Sequence, residues 1–170
     1  SLAMLEMIKN GTTSFLEAGG IIGTDGVAEA ANHIGMRAFL GDSFVRDISS
    51  GETSTVRHDK DRAYKTLGKE LVRNNKENGL VQGVVTLSGM GTASDELLKY
   101  AKDLADKNSV ILNMHQSYQD IDYISDRNRL GLSPMVHFAE IGVLGENCTF
   151  SHVNCIDEKE VGPILDSEMS

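Results

Sequence analysis

Five apolar runs of strand length, each separated from the next by a helix-like stretch, constrain the fold of this chain more than any other feature. The runs are "TTSFLEA" (12–18), "MRAFLGDS" (36–43), "VQGVVTLS" (81–88), "VILNMHQS" (110–117) and "CTFSHVN" (148–154). Strands that alternate with helices form right-handed βαβ units, in which successive strands are parallel. The sequence therefore predicts an α/β fold built on a parallel sheet of about five strands.

The stretches between these runs carry helix signals. Ser94 is a predicted N-cap followed by an acidic first turn, Pro134 is a predicted helix start, and Gly35 is a predicted helix stop. The predicted helices are 1–10, 26–35, 62–78, 94–108 and 133–142, whereas 50–61 is predicted to be an exposed loop. Two interpretations of 125–131 stay open: a substrate-binding loop that presents Arg127 and Arg129, or a solvated turn. No linker or low-complexity segment interrupts the pattern, so we expect a single domain over residues 1–170.

The charge balance disfavours nucleic acids and membranes as partners. The chain has 25 acidic and 16 basic residues, a net charge of -9, and no cluster of five or more Lys and Arg residues. Nucleic-acid binding and membrane binding are therefore not expected. No window approaches the roughly 18 consecutive apolar residues of a membrane span. Because there are two cysteines only, a reducing, cytoplasmic location is expected.

Two histidines occupy matching positions at the ends of neighbouring predicted strands. Strict alternation puts His115 on one face with Asn113, and His152 on one face with Cys148 and Phe150. Since parallel strands present their carboxyl ends at one edge, the two imidazoles are expected to lie side by side. Such a pair suits a divalent metal, zinc or iron, that activates water. Two satisfied polar residues in a cleft are the alternative.

The sequence also resembles the metal-dependent amidohydrolase superfamily, in particular its cytosine/guanine deaminase and triazine chlorohydrolase-like branch. The resemblance rests on "MLEMIKNGTTSFLEAG", "GMRAFLGDS", "VVTLSGMGTASDELLKYAKDLADKNSVILNMHQS" and "GLSPMVHFAEIGVLGENCTFSHVNCIDEKEV". It implies a partial (β/α)8 barrel containing strands two to six, because the complete barrel needs eight units in about 250 residues. It further implies that a metal-bound water attacks a ring or amidine carbon and breaks a non-peptide C–N bond.

Carried over residue by residue, the resemblance makes His115 and His152 the metal ligands of the fifth and sixth strands. Asn113 stands where the branch has the first His of H-x-H-x-x-E, and Tyr118 stands where it has the Glu. Ser88 falls where many members have a substrate-contacting His. Asn113, Ser88 and Tyr118 are therefore candidate substrate-binding residues, and no catalytic acid or base is identified.

The first-strand H-x-H and the eighth-strand Asp of the branch have no counterpart in this sequence. We therefore expect the isolated chain to be inactive. The expected substrate is a small nitrogen heterocycle, and an open sheet with two unpaired edges predicts a homo-oligomer. The alternative function is a non-catalytic α/β domain that binds a small molecule or assembles with another chain.

Two other constellations remain open at the level of sequence. Cys148, His152 and Cys155 form a C-x3-H-x2-C pattern, although alternation puts Cys155 on the opposite face from the other two. Glu17 and Asp42 lie near the ends of two strand runs, where paired carboxylates would face a cleft.

Overall fold

The computed structural model of the chain describes residues 2–49, 58–75, 79–89 and 91–170. All five predicted runs form strands within these residues, which confirms the α/β prediction. The strands are β1 (Ser14–Glu17), β2 (Arg37–Leu40), β3 (Val81–Gly83), β4 (Val85–Gly89), β5 (Leu112–Gln116) and β6 (Cys148–His152). Most of the predicted loop 50–61 and the end of the predicted helix 62–78 lie outside the described residues.

Every strand pairing that the structure describes is parallel, in the order β1-β2-β3 and β4-β5-β6. The third predicted run, 81–88, is divided at Val84. Before Val84 the run pairs with β2, and after it with β5. The N–H of Val84 still donates to the Leu40 carbonyl at 2.9 Å. One backbone stretch therefore belongs to both three-stranded sheets.

The helices follow the strands as the alternation requires. They are α1 (Leu2–Lys9), α2 (Thr24–Ile34), α3 (Lys60–Thr66), α4 (Asp95–Asn108), α5 (Asp120–Leu130), α6 (Pro134–Glu140) and α7 (Glu158–Asp166), with a 3₁₀ helix at Lys69–Asn75. Ser94 caps α4 by accepting from the N–H of Leu97. Gly35 ends α2 in the left-handed conformation. Both predicted caps are confirmed.

Two local predictions are wrong. The single helix predicted for 62–78 is broken at Gly68, which has φ +89° and donates its N–H to the Asp42 carboxylate at 2.6 Å. The segment 125–131, predicted to be a substrate-binding loop or a turn, is mostly the end of α5. That helix has aspartates in its first turn, arginines in its last turn and Gly131 as C-cap, a charge pattern that suits the helix dipole.

The helices cover one face of the sheet and form two cores there. The larger core contains the alternate residues of β4 to β6, such as Leu87, Met114 and Phe150, packed against α3, α4 and α6. The smaller core joins β2 and β3 to α1 and α2 around Met36 and Leu40. We call the opposite face, to which the remaining strand residues point, the inner face. No helix in the described ranges is long and apolar enough to cross a membrane.

Candidate metal centre

The two predicted histidines meet at the carboxyl ends of β5 and β6. The Nδ1 atom of His115 lies 3.1 Å from the Nε2 atom of His152. The ring centroids are 5.2 Å apart and the ring planes differ by 27°. Both imidazoles therefore direct a nitrogen at the same small region of space, as the sequence predicts.

The prediction that strand alternation brings His152 to this position is wrong. In the observed register Ser151 stands opposite His115, and His152 stands opposite Gln116. Cys148 and Phe150 point into the larger core, so strict alternation would turn His152 towards the helices as well. Instead, His152 has φ +80°. This left-handed angle rotates its Cβ about the N–Cα bond and brings the ring to the inner face.

The surroundings of His115 favour the neutral imidazole. Burial lowers its pKa, and the nearby His152 lowers it further. A hydrogen bond to the backbone of Ala18 and the negative charge of Glu17 act in the opposite direction. The net shift of the pKa is downwards. A neutral imidazole is the form that binds a metal ion, and a hydrogen bond to a carbonyl is a common way to orient such a ring.

The three candidate substrate-binding residues lie around this pair. Asn113 is two residues before His115 on the same face, and its Nδ2 donates to the Thr149 carbonyl at 2.5 Å. Within the described part of the chain, Asn113 Oδ1 and Ser88 Oγ are buried without a hydrogen-bond partner. The Tyr118 ring packs on the His152 ring with centroids 4.5 Å apart.

Thr86 is an inner-face residue that the sequence did not lead us to predict as part of the site. Thr86 is the register partner of Asn113, and its buried Oγ1 also has no hydrogen-bond partner among the described residues. The hydroxyl lies over Gly41, where an added Cβ would approach it to 1.9 Å. The signal was present in the sequence, because Thr86 and Ser88 occupy alternate positions of a strand whose other residues are apolar.

The carboxylates at the strand ends do not complete a metal site. Glu17 accepts from the N–H groups of Gly19, Gly20 and Ile21, and so shapes the loop after β1. Asp42 accepts from Gly68. In the ranges that the structure describes, no group of three or more His, Cys, Asp or Glu side chains is placed to hold a metal ion. The histidine pair therefore stands as a two-ligand arrangement.

The cysteine pattern does not converge. The Cys148 thiol lies in the larger core and donates to the Val143 carbonyl at 3.1 Å. Burial raises the pKa of that thiol to about 11, which disfavours the thiolate that zinc or a nucleophile requires. Cys155 instead donates to Asp120. These contacts leave the two thiols with separate structural partners.

Comparison with known proteins agrees with this architecture. The model of the amidohydrolase family matches residues 1–159. The chain belongs to the amidohydrolase family. The family is metal-dependent, which agrees with the resemblance found in the sequence.

Several curated proteins are similar to this chain in sequence. A 5-methylthioadenosine/S-adenosylhomocysteine deaminase of Thermodesulfovibrio yellowstonii is 29% identical over 163 residues, covering 95% of this chain and 35% of the relative. A second such deaminase, from Archaeoglobus fulgidus, is 31% identical and covers 94% of this chain and 36% of the relative. The chain thus spans about a third of the length of these curated relatives.

Atrazine chlorohydrolase from Arthrobacter aurescens, crystallised with zinc, superposes with a TM-score of 0.80 at 20% identity, covering 99% of this chain and 40% of that one. Guanine deaminase of E. coli superposes with a TM-score of 0.74 at 21% identity, covering 97% and 39%. At this identity the likeness concerns the fold, which is part of an amidohydrolase barrel.

Proposed function

We propose that this chain is part of a metal-dependent hydrolase that breaks a non-peptide C–N bond in a small nitrogen heterocycle, with His115 and His152 as ligands of a divalent ion. The observation that carries the proposal is the 3.1 Å separation of the two imidazole nitrogens. The deaminase names of the curated relatives support the reaction class and the heterocyclic substrate.

The two imidazoles fit a divalent ion. Nitrogens bound to one tetrahedral zinc at 2.0–2.1 Å lie about 3.3 Å apart. The pair at 3.1 Å needs little movement to reach that spacing. Histidine nitrogen suits both zinc and iron, and the zinc in the related chlorohydrolase structure makes zinc the first choice.

The chain's own side chains would then divide the work. A bound ion lowers the pKa of its water to about 7 and so supplies hydroxide at neutral pH. Tyr118 would cover one side of His152, on whose ring it packs. In this proposal Asn113 Oδ1 and Ser88 Oγ, which are buried without partners among the described residues, accept N–H groups of the substrate.

Metal titration tests the proposal directly. Co²⁺ is added to the purified chain, and binding is followed by visible absorption. The His115→Ala/His152→Ala double variant is expected to abolish the signal. His33→Ala, a change at an exposed histidine of α2, is the matched control and should bind as the unchanged chain does. If the double variant binds Co²⁺ as tightly as the unchanged chain, the non-catalytic α/β domain becomes the better description.

Activity of the isolated chain gives a second test. A catalytic zinc site commonly has three protein ligands, and the described residues supply two. We therefore expect no release of ammonia from adenosine derivatives or guanine when the zinc-loaded chain is assayed. Metal-dependent turnover by the 170-residue chain would contradict this part of the proposal.

The proposal also includes a cytoplasmic location and a homo-oligomeric assembly. Cys148 and Cys155 are free thiols, which supports a reducing, cytoplasmic location. In the described sheets β1 pairs with β2 alone and β6 with β5 alone. Exposed strand edges favour association, so we propose a homo-oligomer. Light scattering of the purified chain tests this, and a monomer at every concentration would argue against it.

A further inference from the structure

The backbone is strained at the candidate ligand itself. His152 has φ +80° and the next residue, Val153, has φ +49°. Positive φ is uncommon outside glycine, and for a β-branched residue such as valine it is an outlier. Strain of this kind persists only where the surrounding structure imposes it, and it concentrates at functional sites. Two consecutive strained residues at the end of β6 therefore require an explanation.

The strained turn is held by the backbone that continues β5. The N–H of Val153 donates to the Gln116 carbonyl at 2.9 Å, and the N–H of Asn154 donates to the Ser117 carbonyl at 3.1 Å. The side chain of Asn154 adds a third bond, from Nδ2 to the Tyr118 carbonyl at 3.1 Å. Asn154 is exposed, so this bond, and not burial in a core, ties its side chain to the neighbouring segment.

This bond connects the two sides of the histidine pair. The Tyr118 ring packs on the His152 ring, and His115 lies on the strand that leads into Tyr118. By anchoring the Tyr118 backbone, Asn154 fixes the turn after His152 relative to the strand that carries His115.

We propose that Asn154 is a positioning residue that holds the strained His152–Val153 turn, and with it the imidazole of His152, in place beside His115. This inference rests on the proposed function, because it assigns the turn to preparation of the ligand pair. Without the Asn154 side-chain bond, the turn relaxes towards ordinary strand geometry, which would swing His152 towards the helix side.

The experiment compares Asn154→Ala with Asn108→Ala. Asn108 is also exposed and also donates its side-chain N–H to a carbonyl, that of Leu104 at 2.8 Å, but it lies at the end of α4. In the metal-free chain, the nuclear Overhauser effect between the ring protons of His115 and His152 reports the pairing. We expect Asn154→Ala to weaken it by about fivefold or more and Asn108→Ala to leave it unchanged.

Metal affinity provides the second measurement. Loss of a residue that orients a metal ligand typically lowers affinity by about 10- to 100-fold, and we expect Asn154→Ala to fall in that range for Co²⁺. Unchanged ring proximity together with Co²⁺ affinity within twofold of the original chain would overturn the positioning role. If the original chain binds no Co²⁺, the proposed function fails, while the ring-proton measurement still decides the role of Asn154.

A pair of Val153 variants tests the strain separately. Val153→Gly and Val153→Ala remove nearly the same side chain, but only glycine adopts positive φ freely. We expect the unfolding equilibrium constant of the glycine variant to be about threefold smaller than that of the alanine variant. The opposite order would overturn the claim that the turn is strained.

Discussion

The two three-stranded sheets share one construction but differ in what they present on the inner face. In β1 to β3 the inner face mixes apolar and polar side chains, and the core on the helix side is the smaller one. These inner-face residues are Leu16 and Phe39 together with Ser14, Arg37 and Gln82. In β4 to β6 the inner-face residues are polar, namely Thr86, Ser88, Asn113, His115, Thr149 and Ser151, and the core is the larger one.

The difference shows that the two faces of a sheet can have separate roles. The helix side supplies the apolar core that stabilises the fold, and the inner face carries the polar side chains. Barrel interiors are usually filled by branched apolar side chains. The β4–β6 sheet carries polar side chains there instead, including the candidate metal ligand His115. The larger core behind that sheet supplies apolar burial that its inner face lacks. The inner face of the β1–β3 sheet combines apolar and polar side chains, and its core is the smaller one.

Methionine truncation in the two cores gives the largest expected effect. Met114 is fully buried in the larger core, and Met36 is 1% exposed in the smaller one. We expect Met114→Ala to lower the free energy of unfolding by about 3–5 kcal/mol and Met36→Ala by about 2–3 kcal/mol, because a smaller core collapses more readily around a cavity. Urea unfolding measures both. Equal losses would mean that the two cores are equally rigid.

Two glycines with positive φ, one beside each sheet, allow a second comparison of the two sheets. Gly89 has φ +69°, and an added Cβ would lie 1.9 Å from the His115 carbonyl oxygen. Gly35, next to the β1–β3 sheet, has φ +82° and nothing within 4 Å. We expect Gly35→Ala to cost about 1 kcal/mol from backbone strain alone. Gly89→Ala should cost at least about 2 kcal/mol more, because β4 and β5 must separate.

For this pair, denaturant unfolding is combined with Co²⁺ titration. Gly35→Ala is the control and should keep its metal affinity. Similar stability losses for both variants would show that β4 accommodates the added methyl group without displacing His115.

The pH dependence of stability is expected to include a contribution from the β1–β3 side. Burial raises the pKa of Asp42 to about 6 from 3.8. The folded chain therefore holds this proton more tightly than the unfolded chain, so the stabilising contribution is complete below pH 4 and is lost as the pH rises through 6.

Asp42→Asn removes this titration. We expect the variant to match the original chain near pH 4 and to exceed it by about 1–2 kcal/mol at pH 7.5. Urea unfolding across this pH range measures the difference. Asp103→Asn, a change at an exposed residue of α4, is the control. A difference that stays constant with pH would contradict the raised pKa.

The smallest expected effect comes from two threonine-to-valine changes. Thr24 Oγ1 donates to Glu70 Oε1 at 2.8 Å on the β1–β3 side, whereas the Thr86 hydroxyl on β4 has no partner among the described residues. Thr24→Val should cost about 1 kcal/mol, and Thr86→Val should raise the free energy of unfolding by up to about 1 kcal/mol. Thermal unfolding measures both. Destabilisation by Thr86→Val would show that this hydroxyl is hydrogen-bonded in solution.

Much of the fold was predictable because it follows from local patterns. Period-two apolar runs marked every strand, and Ser94 and Gly35 marked helix ends by their chemistry. The proximity of His115 and His152 followed from parallel strands ending at one edge. These features depend on short stretches of sequence whose preferences agree with the tertiary structure.

The parts that were missed depend on contacts between distant residues. The face to which His152 points depends on its positive φ, and the turn is held by hydrogen bonds to the carbonyls of Gln116 and Ser117. Neither histidine nor valine in a sequence predicts such an angle. The division of the third run at Val84 depends on its two different neighbours, β2 before Val84 and β5 after it.

The division at Val84 has a consequence for the candidate metal centre. At this residue the backbone passes from the β1–β3 sheet to the β4–β6 sheet, and β4 is the neighbour of β5, the strand that carries His115. We therefore expect a change in the angle between the two sheets to be transmitted through Val84 to the strand beside His115.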